Sequence, residues 1–176
     1  MKKHILIATL LISSIAVSAQ NTSQSYIEKF KDEAIHIMHQ TGIPASIVLA
    51  AAMHESACGN SNIARRFNNQ FGVKGSGTNV YYKHKKKVVS HYKKYGSIMD
   101  SFEDFARIMT DRKQFSHLAD QLTHYDYIGW AKGIQHSGYC SSRKWASQVM
   151  AIIQKYRLDL LDENPADQPQ IVASAL

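Results

Sequence analysis

The stretch Gly42-Ile43-Pro44-Ala45-Ser46-Ile47-Val48-Leu49-Ala50-Ala51-Ala52-Met53-His54-Glu55-Ser56-Ala57-Cys58-Gly59 decides how the rest of the chain is read. Gly42 and Pro44 end whatever precedes them, and Pro44 suits the first position of a new helix, where a missing N–H leaves no bond unmade. From Ala45 to Met53 almost every residue is apolar, and no polar stripe recurs at helical spacing. A helix without a polar face is a buried one. It is predicted from Pro44 to about Ala57, and a single carboxylic acid, Glu55, closes it. A carboxyl that follows two apolar turns is expected to be partly desolvated, which disfavours its charged form. That is what a general acid working near neutral pH requires. A solvated Glu at a helix end is the alternative, and the helix by itself does not choose between them.

Working outward, Tyr26, Ile27, Phe30, Ala34, Ile35 and Met38 recur at three- and four-residue spacing and predict an amphipathic helix before Gly42. Asn60 or Ser61 is placed to cap a short helix ending at Phe67. Phe71 to Thr78 holds Gly72, Gly75 and Gly77 and reads as loop. Val80-Tyr81-Tyr82 and Val88-Val89-Ser90-His91-Tyr92 are β-branched and aromatic, with the basic run Lys83 to Lys87 between them, which predicts a β-hairpin with a basic turn. Ser97, with Asp100 three residues on, has the form of a capping box for a helix facing inward through Phe102, Phe105, Ala106 and Met109. Tyr127 to Gln135 predicts a short helix. A last long one is expected from Ser141 or Ser142, with Trp145, Val149, Ile152, Ile153 and Tyr156 inward. From about Asp162 the pattern stops, and a loose tail over 163–176 is expected. The fold class is therefore mainly α: a single domain over 20–162 with a small β-hairpin lobe.

The first residues address the compartment. Lys2 and Lys3 precede an apolar run from Ile5 to Val17, and Val17-Ser18-Ala19 supplies the small residues of a cleavage site. This is the pattern of a secretory signal peptide over 1–19, and it predicts a secreted or periplasmic protein. The run is shorter than the roughly 20 residues a membrane span requires, so no span is expected after cleavage. A mature chain of about 157 residues supports one core of ordinary size, and a monomer is the expected state. The formal charge is +7, and a basic exported chain suits an anionic polymer other than nucleic acid. Two cysteines, Cys58 and Cys140, are too few for a disulfide scaffold. His54-Glu55-x-x-Cys58 lies one residue from a zinc-protease pattern, with Cys where the second His belongs. The remaining histidines show no ligand spacing, so no metal and no other cofactor is expected.

Several short motifs succeed one another in order: Gly42-Ile43-Pro44-Ala45-Ser46; His54-Glu55-Ser56-Ala57-Cys58-Gly59-Asn60-Ser61; Ile63-Ala64-Arg65-Arg66; Asn68-Asn69-Gln70-Phe71-Gly72-Val73-Lys74; Tyr95-Gly96-Ser97 with Ser101-Phe102; and Ser137-Gly138-Tyr139-Cys140. Together, over roughly residues 26–160, the chain resembles the glucosaminidase domains of glycoside hydrolase family 73, relatives of flagellar and autolysin-type wall hydrolases (mannosyl-glycoprotein endo-β-N-acetylglucosaminidase-like). The resemblance implies a lysozyme-like helical fold with an open cleft. It also implies hydrolysis of the β-1,4 bond between N-acetylglucosamine and N-acetylmuramic acid in peptidoglycan glycan strands. Glu55 falls on the family's catalytic acid and Tyr139 on its active-site tyrosine. Asn69, Gln70 and Phe71 fall on a segment lining the cleft behind the acid, and Tyr82 and His84 on the hairpin are further candidate substrate contacts. If the fold holds, Cys58 and Cys140 border the same cleft, and a disulfide between them is expected.

The hairpin departs from the family pattern. Glycosidases that use two carboxylates need a base or nucleophile opposite the acid, and many relatives place one on the hairpin. Here no Asp or Glu stands between Glu55 and Asp100, whereas nine Lys and Arg do. Three mechanisms remain: the substrate's own N-acetyl group serves as nucleophile; a distant carboxylate such as Asp100 or Asp126 reaches the cleft; or the domain grips glycan without cutting it. The first is preferred, with Tyr139 orienting the acetamido group. A lytic transglycosylase of similar fold also manages with one Glu, but Asn69-Gln70-Phe71-Gly72 is not the Gly-Leu-Met-Gln segment usual after its acid.

Overall fold

A computed structural model describes residues 20–163; the expected signal peptide at 1–19 and the tail from 164 onward lie outside the described residues. Helix α1 (Ser23–Thr41) is capped by Thr22, whose hydroxyl accepts from the Ser25 N–H. Helix α2 (Ala45–Ser56) is buried from Ala45 to Met53, and it touches α1, α4, α6, α7 and the closing 3-10 turn. The sequence reading of α2 as an interior helix holds. Removing Ile47, Val48 and Leu49 wholly from water stabilises the fold by about 1.5–3 kcal/mol each. Around it stand α3 (Asn62–Phe67), α4 (Ile98–Asp111), α5 (Lys113–Gln121), α6 (Tyr127–His136) and α7 (Trp145–Tyr156), with a 3-10 turn at Leu158–Leu161. Strands β1 (Lys74–Lys83) and β2 (Lys86–Tyr92) form one antiparallel hairpin on the side. This is a mainly α, lysozyme-like architecture.

Several boundaries differ from expectation. The glycine-rich stretch before Thr78 is not a loop from end to end, because β1 begins at Lys74. Its register against β2 slips between Lys74 and Asn79, as glycine-containing strands allow. A Cβ on Gly75 would come to 3.0 Å from the Lys93 side chain, which would have to give way to admit it. The basic turn is shorter than the run of lysines: Lys83 pairs with Lys86, leaving His84 and Lys85, both at positive φ, as a two-residue turn of the hairpin-favoured hand. Helix α5 has no counterpart in the sequence reading. Only Phe115 and Leu118 face inward, and its N-cap, Arg112, offers no side-chain cap. Helix α7 starts at Trp145, after a turn in which the Lys144 N–H donates to the Ser142 hydroxyl. The Ser97–Asp100 capping box of α4 is present as expected.

The end of the domain is anchored rather than loose at Asp162, which is 2% exposed. Its carboxyl accepts from the Ser46 N–H at 2.9 Å and pairs with the Ser46 hydroxyl at 2.5 Å. Ser46 lies in the first turn of α2, and Pro44 brings no side-chain cap; Asp162 therefore caps the central helix from the far end of the chain. Among the described residues no helix is long and apolar enough to cross a membrane.

Burial pushes the Asp162 carboxyl up to about 6, with the Ser46 hydrogen bonds opposing the rise. A carboxyl whose folded pKa exceeds its unfolded value contributes stability that is complete below about pH 3.8 and lost as pH rises through 6. Urea unfolding between pH 4 and 7 should show Asp162→Asn, which keeps an acceptor for Ser46, gaining on the native chain as pH rises, by on the order of 2–3 kcal/mol in all. Asp162→Ala, which orphans Ser46, should lose about 1–2 kcal/mol at pH 4. Parallel curves for the native chain and the Asn variant would contradict this role.

Candidate active site

Helix α2 ends at Ser56, one residue after Glu55, in a run of left-handed residues. Ala57, Cys58 and Gly59 all have positive φ, the Ala57 N–H closes on the Met53 carbonyl, and the Gly59 N–H donates to the Ser56 hydroxyl. This abrupt stop leaves Glu55 on the last turn, its side chain 24% exposed, at the wall of a cleft of about 510 Å³. Gly72, Val73, Lys74, Arg112, Tyr139 and Ser141 also line that cleft. Among the described residues that line it, Glu55 is the only carboxylate, and Lys74 and Arg112 are the only Lys or Arg.

The two oxygens of Glu55 have different surroundings. Oε1 accepts from the indole Nε1–H of Trp145 at 2.7 Å and lies 3.3 Å from Nδ1 of His54. Oε2 faces Gly72, where an added Cβ would stand 3.8 Å from it and 3.8 Å from the Tyr92 ring. Gly72 also has φ +63°, a region that favours glycine. Oε1 is thus engaged by the indole N–H, and Oε2 is the oxygen that the Gly72 gap leaves open.

Tyr139 lies across the same cleft, half-buried, with its hydroxyl donating to the Phe71 carbonyl at 3.2 Å. Its ring packs against Phe105, Phe115 and Trp145. Burial, and then the negative charge of Glu55, push its phenol well above the ordinary range, so it remains a hydrogen-bond donor at neutral pH.

The structure separates the remaining expected site residues. Asn69 and Gln70 are each 1% exposed and belong to the scaffold behind the cleft, not to its surface. Asn69 donates to the Val73 and Lys93 carbonyls and accepts from the Val73 N–H, clamping both ends of the hairpin. Gln70 accepts from the Tyr26 hydroxyl at 2.9 Å. The Asn69 amide is spent on the fold. Phe71 lines the cleft but is stacked on Phe105 at 4.3 Å and is almost wholly buried. Tyr82 and His84 are exposed near the hairpin turn and do not line the cleft around Glu55. Cys58 and Cys140 are free thiols. Cys58 faces Ser23 on α1, whereas Cys140 faces the Ser142 carbonyl at the cleft edge, so the expected disulfide is not formed. Asp100 and Asp126 cap α4 and α6, and neither is among the residues lining the cleft. His54 and Cys58 are likewise turned to different partners, Gln148 and Ser23. Trp145 was legible only as a core residue, since nothing in its spacing signals that its N–H reaches the end of α2.

Residues 31–158 match the family model described as Glucosaminidase, mannosyl-glycoprotein endo-beta-N-acetylglucosaminidase. The chain belongs to the glucosaminidase family. It is thereby a glycoside hydrolase by class. Among curated relatives, this chain is 30% identical over 179 residues to the exo-glucosaminidase LytG of Bacillus subtilis (strain 168), covering 91% of this chain but 62% of LytG. It therefore spans somewhat under two thirds of that relative's length. Its fold matches the catalytic domain of the autolysin Auto from Listeria monocytogenes, at TM-score 0.65 and 22% identity over 83% of this chain and 91% of that one. It also matches the glycoside hydrolase domain of FlgJ from Salmonella typhimurium, at TM-score 0.63 and 23% identity over 78% and 89%.

Trp145→Phe keeps an aromatic ring in the core and deletes only the N–H aimed at Glu55. A hydrogen bond to a charged group contributes about 1.5–3 kcal/mol. Glycan hydrolysis by this variant should accordingly fall roughly 10- to 100-fold, while its melting temperature stays within a few degrees of the parent. Unaltered hydrolysis would show that the indole does not hold the acid.

Proposed function

We propose that the protein is an exported peptidoglycan hydrolase that cleaves the β-1,4 bond between N-acetylglucosamine and N-acetylmuramic acid, with Glu55 as general acid and the substrate's N-acetyl group as nucleophile. The observation that carries this reading is the lone carboxylate: Glu55 stands in a cleft lined by no second acid among the described residues. Some glycosidases dispense with a protein nucleophile where the sugar carries an acetamido group, whose carbonyl oxygen attacks the anomeric carbon. In that scheme Glu55 Oε2 gives its proton to the leaving oxygen. The same carboxylate then takes a proton from the water that opens the cyclic intermediate. In this scheme the Tyr139 hydroxyl, kept protonated by its surroundings, exchanges its bond to the Phe71 carbonyl for one to the acetamido group and orients it. Lys74 and Arg112 on the cleft wall suit a glycan bearing carboxylates, and the relatives named LytG and peptidoglycan hydrolase FlgJ fit a wall substrate. The basic start and apolar run of residues 1–19 support delivery across the cytoplasmic membrane.

Purified wall glycan treated with the protein should yield fragments ending in reducing N-acetylglucosamine. Glu55→Gln should lower the rate by about 10²- to 10⁴-fold, the range general acid catalysis supplies. Anhydromuramic ends would instead mark a transglycosylase. Glycan retained on the protein without new ends, equally for both forms, would mark a binding protein.

A further inference from the structure

His54 is the residue beside the acid that neither the fold nor the proposed chemistry has used. Its ring lies on the last turn of α2, with its side chain 25% exposed. Nδ1 is 3.3 Å from Glu55 Oε1, and Nε2 is 3.2 Å from the Oε1 of Gln148 on α7. Both ring nitrogens thus face oxygen acceptors, an arrangement that imidazolium satisfies with its two N–H donors. Glu55 and Gln148 are the side chains that hydrogen-bond this ring, and Glu55 is the charged group acting on it. The hydrogen bond to Glu55 raises the affinity of the ring for its proton, while burial opposes that rise.

We infer that His54, held by Gln148, is a positioning residue for Glu55: together with the Trp145 indole it saturates Oε1 with donors and confines the transferable proton to Oε2, on the cleft side. This rests on the reading of Glu55 as general acid. With the ring on one side of Oε1 and the indole on the other, the carboxyl is held against rotation and Oε2 stays turned to the Gly72 side of the cleft. The same contact steadies the carboxylate when Glu55 must serve as base in the second half of the reaction.

The test measures kcat and KM separately on soluble uncrosslinked wall glycan for the native chain, His54→Leu, His54→Asn and Gln148→Leu, and titrates the His54 ring by NMR in the native chain and in Glu55→Gln. In His54→Leu kcat should fall roughly tenfold with KM within about twofold of the native value. His54→Asn, which retains an N–H close to the Nδ1 position, should recover most of that loss. In Glu55→Gln the ring should titrate at least about half a unit lower than in the native chain. A native kcat in His54→Leu, no recovery in His54→Asn, or an unmoved ring titration in Glu55→Gln would overturn the assignment. Should His54→Leu fail to fold, Gln148→Leu reads the same loss in kcat with α2 untouched, and a native kcat there counts equally against it. If the native chain releases no ends from glycan at all, the hydrolase reading falls, while the ring titration still decides whether His54 and Glu55 are coupled.

Discussion

The hydrogen bond from the Trp145 indole to Glu55 Oε1 is the constraint on which the site depends. It joins residues 90 positions apart in sequence, at the C-terminal end of α2 and the N-terminal end of α7. Neither helix could supply it alone. Helix α2 is a buried rod with no polar face, so its last turn is the first place where a carboxyl can meet solvent. Helix α7 begins with an aromatic whose ring belongs to the core, 1% exposed, and whose one polar atom must find a partner there. The bond satisfies the indole and orients the acid at once. The α2–α7 packing that carries it is held further by Asp162, which bonds the first turn of α2 from beyond the end of α7.

The cleft wall opposite is fixed by a second set of bonds. Asn69 grips the backbone on both sides of the hairpin, and Asp104 on α4 gathers Lys93, Tyr95 and Arg107 at the hairpin's exit. These contacts fix where Gly72 stands, and Gly72 leaves the gap in front of Glu55 Oε2. The Phe71 carbonyl next to it takes the Tyr139 hydroxyl, so one short loop presents space to the acid and a seat to the tyrosine. The hairpin carries many lysines but no carboxylate, and it is this lack that motivates the proposal of a nucleophile supplied by the sugar.

Much of this was legible in the sequence because it rests on local pattern. The apolar run of α2, the capping box at Ser97 and the β-branched segments of the hairpin each announce their element through a few neighbouring residues. Glu55 and Tyr139 were legible through ordered motifs, and the structure brings them to one cleft. What escaped was set by distant partners. Asp162 reads as the start of a tail until Ser46 is beside it. Asn69 and Gln70 read as part of a segment lining the cleft until the Val73, Lys93 and Tyr26 atoms that they bond are in place. Trp145 reads as core, and His54 as a stray fragment of a zinc pattern, until both are seen at the same oxygen. The expected Cys58–Cys140 bond failed for the same reason: two loops near one site still face different neighbours.

The most direct measurement is a crystal structure of Glu55→Gln with a bound oligomer of alternating N-acetylglucosamine and N-acetylmuramic acid. The acetamido carbonyl oxygen of the sugar before the scissile bond is expected about 3–3.5 Å from the anomeric carbon, as a near-attack geometry requires. The Tyr139 hydroxyl should lie within hydrogen-bond reach of that group, and the amide replacing Glu55 at the leaving oxygen. A carboxylate of this chain beneath the anomeric carbon, or a glycan seated away from residue 55, would contradict it.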